Sequence, residues 1–262
     1  MCDDPEALIA EACDLYESVV VGADSRIVGG NRLWEQFLST ADAVRAGKEN
    51  GERQMRERIN ELGTAKYLAD DPDIAGSILY EPNILASGRK IDFVVERDDE
   101  RIYVEVKSVY PNTPDTQGTW ERYLQLREHH PDNVNFIVEK DWLGGKIYGN
   151  TFASRSKFLS YSLAFEERLA EAREDVAGPG ILVFCGSGFH WDVTDLEDFA
   201  DFYHLAQHRA DDPFSQMEQH EIDMNSVKLR RNIDHFAFLK RATCRAEITQ
   251  VYFPVRGPLA GR

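Results

Sequence analysis

The chain is short of cysteine and has no arrangement of it that builds a scaffold. Its four cysteines, Cys2, Cys13, Cys185 and Cys244, lie far apart with no C-x-x-C pair. That spacing excludes a disulfide framework and a zinc knuckle. No apolar run approaches the roughly 20 residues of a membrane span, and the start Met1-Cys2-Asp3-Asp4 is acidic rather than leader-like. A chain with reduced thiols and no address is expected in the cytoplasm, with no membrane partner. Positive charge is scarce too. The 30 Lys and Arg residues face 46 Asp and Glu, a formal net charge of −16. A non-specific coat for nucleic acid is excluded, because phosphate contacts need Lys and Arg; a local basic groove is not. No internal repeat, low-complexity tract or linker rich in Gly, Ser or Pro marks a boundary. Gly144-Gly145-Lys146 lacks the earlier glycine of a phosphate loop. Gly186-Ser187-Gly188 has Cys185 where a hydrolase elbow needs glycine.

With 42% apolar residues, 262 residues can bury a sizeable core. Its organising stretch is Gly88–Tyr110, which reads as two strands joined by an acidic turn at Asp98–Glu100. Ile91, Phe93 and Val95 alternate with Asp92, Val94 and Glu96. Ile102, Val104 and Val106 alternate with Tyr103, Glu105 and Lys107. Successive side chains on a strand point to opposite faces. One face is therefore an apolar core face, and the other carries Asp92, Glu105 and Lys107. A two-residue loop at Asp98–Asp99 sets Asp92 opposite Glu105. A shift of two residues sets it opposite Lys107, still on the same face, whereas a slip of one would turn Asp92 into the core, so matching of faces selects the register.

Two carboxylates and a lysine on one half-polar face suit a hard divalent cation, which takes one or two carboxylates plus phosphate and water. The lysine two positions along can hold an attacking water or stabilise charge on a phosphoryl group.

Asp92, a spacer, then Glu105-Val106-Lys107 resembles the PD-(D/E)xK nuclease superfamily, with Ile91 where its pattern has proline. The resemblance implies a restriction-endonuclease-like αβββαβ core, a mixed sheet flanked by helices. It implies a hydrolase, an endonuclease or other metal-dependent phosphodiesterase using Mg²⁺ or Mn²⁺. Asp92 and Glu105 would ligate the metal together with the Val106 carbonyl, and Lys107 would serve the water. A helix before the first core strand often adds a glutamate in that superfamily. Glu61 takes that place here, with Glu57 as substitute one turn earlier. The implied partner is nucleic acid, DNA before RNA, and a homodimer or larger assembly stays open. The rival expectation is a non-catalytic protein of the same fold, a structural or interaction module in a defence or repair assembly.

In chain order, residues 5–21 read as a helix with Leu8, Ala12, Leu15 and Val19 inward, and 31–46 as a second with Leu33, Phe37 and Ala41 inward. Residues 1–50 form an expected helical cap on a unit covering 51–262. A third helix, 52–69, buries Met55, Ile59, Leu62, Ala65 and Ala69. Residues 77–81 read as the first strand. After the hairpin come a helix over 117–130 and a strand over 134–138, then a long helix over 152–175 and a buried strand over 180–185. In the long helix Phe152, Leu159, Leu163 and Ala170 line one side, widened by Phe158, Phe165 and Leu169. The helix over 195–209 turns Leu196, Phe199, Tyr203 and Ala206 inward. Its other side, with Glu197, Asp201, His204 and His208, reads as a solvated acidic face. Lys228, Arg230 and Arg231 belong to the densest basic cluster, a candidate nucleic-acid contact. Residues 236–240 and 248–253 read as strands that extend the sheet or form an appended hairpin.

Overall fold

The computed structural model describes residues 5–71, 74, 76–97, 100–109, 154–186, 193, 196–197, 199–200, 203, 232–241 and 248–253. Three helices come first: α1 (Pro5–Val21), α2 (Gly30–Arg45) and α3 (Gly51–Asp70). Between α1 and α2 lies β1 (Ile27–Val28), a strand too short for any pattern to announce. Then come β2 (Ser77–Tyr80), β3 (Phe93–Arg97), β4 (Glu100–Val109), α4 (Ser154–Arg173), β5 (Gly180–Gly186), β6 (His235–Arg241) and β7 (Ile248–Phe253). Residues 193, 196, 197, 199, 200 and 203 are also helical.

The described strands form one mixed sheet in sequence order, β1 to β7. Pairs β2–β3, β3–β4 and β6–β7 are antiparallel; β1–β2, β4–β5 and β5–β6 are parallel. The last two strands therefore extend the sheet instead of standing apart as a hairpin. Parallel strands joined by helical crossovers are covered on both faces and read as near-continuous apolar runs. β5 (G-I-L-V-F-C-G) fits: all of it is buried.

The sheet separates two apolar cores. One packs Phe93, Val95, Ile102, Val104, Val106, Val183 and Leu239 under α1, α2 and α3, with Ile9, Phe37, Met55 and Ile59 among the helical residues. The N-terminal helices thus share a core with the sheet. The other packs Ile91, Val94, Tyr103, Leu182, Phe184, Phe236 and Phe238 under α4 and Leu196, Phe199, Ala200 and Tyr203. Phe184, Phe199, Phe236 and Tyr203 meet there edge-on or stacked, with ring centroids 5.0–6.3 Å apart.

Several expectations change. The sheet's second face is a packed core, so Val94 and Tyr103 are buried although they alternate with the apolar set. Ile91 belongs to this second core, because it precedes the regular strand and leaves the alternation. The phase of α1 is one residue later than read: Ile9, Ala12, Tyr16 and Val20 are buried, and Leu15 is 37% exposed. On α4 the buried set is Phe158, Leu159, Ser162, Phe165, Glu166, Leu169 and Ala172, whereas Ala170 is exposed. Beside β4 stands β5. The expected helix over 117–130 and strand over 134–138 lie outside the described residues.

Gly180 lets α4 approach the start of β5. A Cβ there would run into Leu169 Cδ2.

Candidate active site

The hairpin register is the expected one. Phe93 pairs with Val104 and Arg97 with Glu100, leaving two residues for the turn. Carried one position beyond β3, that register sets Asp92 opposite Glu105. Residues exchanging bonds across an antiparallel ladder direct both N–H and C=O toward their partner. Val106 is directed to the β3 side, where the regular strand has ended. Its N–H finds the Asp92 carboxylate instead of a backbone carbonyl and donates to Oδ2 at 2.7 Å. Its C=O points the same way. Asp92 is held from the other side by its own backbone, whose carbonyl accepts from Glu81 N–H at 2.8 Å.

Glu105 is fully buried, with a relative exposure of 0%. Its Oε1 takes an ion pair from Lys107 and another from Arg168 Nη2, the latter at 2.6 Å. A buried charge needs such partners, because desolvation of an isolated ion costs far more than folding can supply. Its Oε2 is buried with no hydrogen-bond partner among the described residues. The side chains of Lys107 and Arg168 are 25% and 17% exposed, so the cluster opens to solvent through its cations.

The fields follow from this packing. Burial pushes the Asp92 carboxyl well above the ordinary carboxylate range, and Glu105 adds to the shift; Lys107 and the Val106 N–H oppose it. Burial alone would lower the Lys107 pKa, but Glu105 and Asp92 outweigh it and hold the ammonium form. Lys107 is therefore a donor and a cation at neutral pH, not a base.

Glu61 has hydrogen-bond partners of its own. Its carboxylate accepts from Arg58 Nη1 at 2.6 and 2.8 Å and from the Tyr80 hydroxyl at 2.9 Å. Burial raises its pKa while Arg58 lowers it. It acts on Asp92 through charge. Glu57 is paired with Arg53 at 3.1 Å. Glu57 and Arg53 act on Tyr161 of α4 through charge, as does Lys107. Among the described residues, no three His, Cys, Asp or Glu side chains stand as a ready-made metal cluster. Lys228, Arg230 and Arg231 lie outside the described residues, as do His204 and His208.

The donor set suits a divalent cation in the economical way that Mg²⁺ prefers, with two carboxylates and the rest from water and ligand. Asp92 and Glu105 could supply the carboxylates, and the Oε2 of Glu105, without a hydrogen-bond partner among the described residues, is an acceptor open to a cation. Arg168 is the residue that sequence reasoning missed. It lies 63 positions from Glu105, and nothing local in α4 sets it apart from the other charged residues of that helix.

Comparison with protein-family models, with curated proteins and with solved structures returns no match. Among the described residues, no helix is long and apolar enough to cross a membrane.

Proposed function

We propose that this chain is a divalent-metal-dependent nuclease, hydrolysing phosphodiester bonds of DNA or RNA with Mg²⁺ or Mn²⁺. The observation that carries the proposal is the clustering of Asp92, Glu105 and Lys107, with a fully buried Glu105 oxygen left without a hydrogen-bond partner among the described residues. The order α3, β2, β3, β4, α4, β5 supports a restriction-endonuclease-like core, since it spells α-β-β-β-α-β among the described residues. DNA is the favoured substrate of this reading.

Asp92 and Glu105 would hold the cation, with the Val106 carbonyl beside them. When bound, the cation neutralises phosphate charge and acidifies a water. The protein's own groups do the remainder. Lys107, held as the ammonium, donates to the water or to a phosphate oxygen and stabilises charge that builds up on the phosphoryl group. The Val106 N–H fixes the orientation of the Asp92 carboxylate. Apolar walls on both sides of the sheet keep the dielectric low, so each of these charges acts strongly. In a chain of net charge −16 the nucleic acid must be met by a local positive surface.

The test is a panel of labelled DNA and RNA, single- and double-stranded, incubated with pure protein with and without Mn²⁺. Metal-dependent cleavage that disappears in Asp92→Ala and in Lys107→Ala is the expected outcome. Cleavage retained by either folded variant refutes the assignment. One observation favours the rival, a non-catalytic member of the same fold: Lys107 and Arg168 already balance the charge of Glu105 without a metal. Calorimetric titration with Mg²⁺ separates the two, and absence of binding selects the rival.

A further inference from the structure

Two polar atoms of this cluster are buried without a hydrogen-bond partner among the described residues, and they are of opposite kind. Glu105 Oε2 is an acceptor and Arg168 Nε is a donor. They belong to residues already in contact, through Arg168 Nη2 and Glu105 Oε1 at 2.6 Å. Nε and Nη2 form the edge of a guanidinium that normally grips a carboxylate or phosphate with two parallel bonds. Here the grip is half made. Oε1 is shared between Lys107 and Arg168, and the second bond of the fork is missing. The remaining amino group, Nη1, reaches the Lys90 carbonyl only at 3.5 Å. Buried polar atoms are rarely left so, because each keeps its desolvation penalty uncompensated.

One ligand answers both wants: a cation on Oε2 that brings an anionic oxygen to Nε. We infer that Arg168 is a phosphate-binding residue of this site, kept in place by Glu105 and completed by a phosphodiester oxygen that arrives with the metal. The inference rests on the nuclease reading and adds to it a residue that grips the substrate from α4. Lys107 cannot take this role alone, because an ammonium offers a point charge and not a planar fork.

A structural role and a phosphate-binding role differ in the signs they predict. As a cation beside Glu105, Arg168 competes with a metal, so Arg168→Met should bind Ca²⁺ more tightly than wild type. As a phosphate ligand it should bind nucleic acid less tightly. Calorimetry gives the first quantity on the full chain. Anisotropy gives the second, with a fluorescein-labelled DNA duplex and a labelled RNA of the same sequence, in Ca²⁺ so that the probe is not consumed. Arg168→Met is expected to weaken binding of whichever probe wild type takes by about 10- to 100-fold, the worth of a charge-assisted hydrogen bond. Arg168→Lys keeps the charge without the fork; its Ca²⁺ affinity should stay near wild type and its probe affinity should fall by an intermediate factor. Circular dichroism and unfolding midpoints show that both variants are folded. Probe affinity in Arg168→Met equal to wild type, with cleavage still metal-dependent, overturns this inference and leaves the nuclease reading standing. Ca²⁺ and probe affinities falling together mark a structural role and also overturn it. A wild-type chain that takes up no Ca²⁺, or takes up Ca²⁺ but neither probe, removes the nuclease reading and the inference with it.

Discussion

Glu105→Gln is the most informative single change for the energetics of the site. The carboxylate is fully buried and neutralises two cations at once, Lys107 and Arg168. Glutamine keeps the shape and one acceptor oxygen but removes the charge. Removing one partner of a buried ion pair costs about 3–5 kcal/mol, because the other charge is left uncompensated in a poor solvent. The lower end applies here. Lys107 still has the Asp92 carboxylate in its field, and both cations keep a small exposed surface. A loss of about 3 kcal/mol corresponds to a melting point lower by about 6–12 °C for a chain of this size. The measurement is urea unfolding in the presence of a chelator, with an unchanged m-value showing that only stability has moved. Arg168→Met should cost less, since Glu105 keeps Lys107. In the double variant the two losses should fall short of additivity by about 1–3 kcal/mol, the coupling expected of charges in contact. A loss below about 1 kcal/mol in Glu105→Gln, or additive losses in the double variant, would refute the view of Glu105 as the electrostatic hub.

Three further outcomes follow. Asp92 holds its proton more tightly in the folded than in the unfolded chain, so its contribution to stability falls as pH climbs from the ordinary carboxylate range toward the raised value, and the penalty is complete above it. Asp92→Asn keeps an acceptor for the Val106 N–H and removes that penalty. Without metal it should melt above wild type at neutral pH and with wild type in acid; an equal or lower midpoint at neutral pH contradicts the shift. Adding Mg²⁺ to about a hundredfold above its Kd should stabilise wild type by about 2.7 kcal/mol, or about 5–11 °C, and leave Asp92→Asn unmoved. Thermal scans with and without EDTA decide this, and an equal rise in both proteins would place the cation elsewhere. Gly180→Ala drives a Cβ into Leu169 and should cost about 1–3 kcal/mol through overpacking. Because Leu169 neighbours Arg168, metal affinity should shift along with the urea midpoint, and a neutral substitution would show that α4 can slide freely.

The hairpin was legible in the sequence because two independent signals agreed. The alternation assigned the faces and left two registers that keep Asp92 on the polar one, and the observed pairing of Phe93 with Val104 is that of the two-residue loop. The amphipathic α2 and α3 were legible for a similar reason, each with a single apolar stripe. In α1 the apolar residues run nearly all round, with Leu8, Ile9, Leu15, Tyr16 and three consecutive valines. Helical period alone could not choose among them, and contact with α2 and α3 sets the phase. Alternation also misled in one respect. It divides a strand into apolar and polar faces, whereas this sheet is covered on both sides, and Tyr103 and Val94 go inward opposite the first core. The ion pair of Arg168 with Glu105 joins residues remote in sequence, and only the crossover from β4 through α4 to β5 brings them together. Glu61 had the helix position expected of a third carboxylate, but Arg58 three residues earlier and Tyr80 on β2 engage it.

The pairing of Arg97 with Glu100 also works as a ruler. Asp92 and Glu105 each stand five positions from their end of it, Arg97 and Glu100. Equal counts are what bring the two carboxylates level. Lengthening one arm by two residues would leave every side chain on its proper side, yet it would carry one carboxylate past the other by about 6.6 Å. Such a chain would fold with the same oily interior and could not close both acids on one ion. A cation shared by both acids would therefore constrain the length of each arm in a way that hydrophobic packing alone does not.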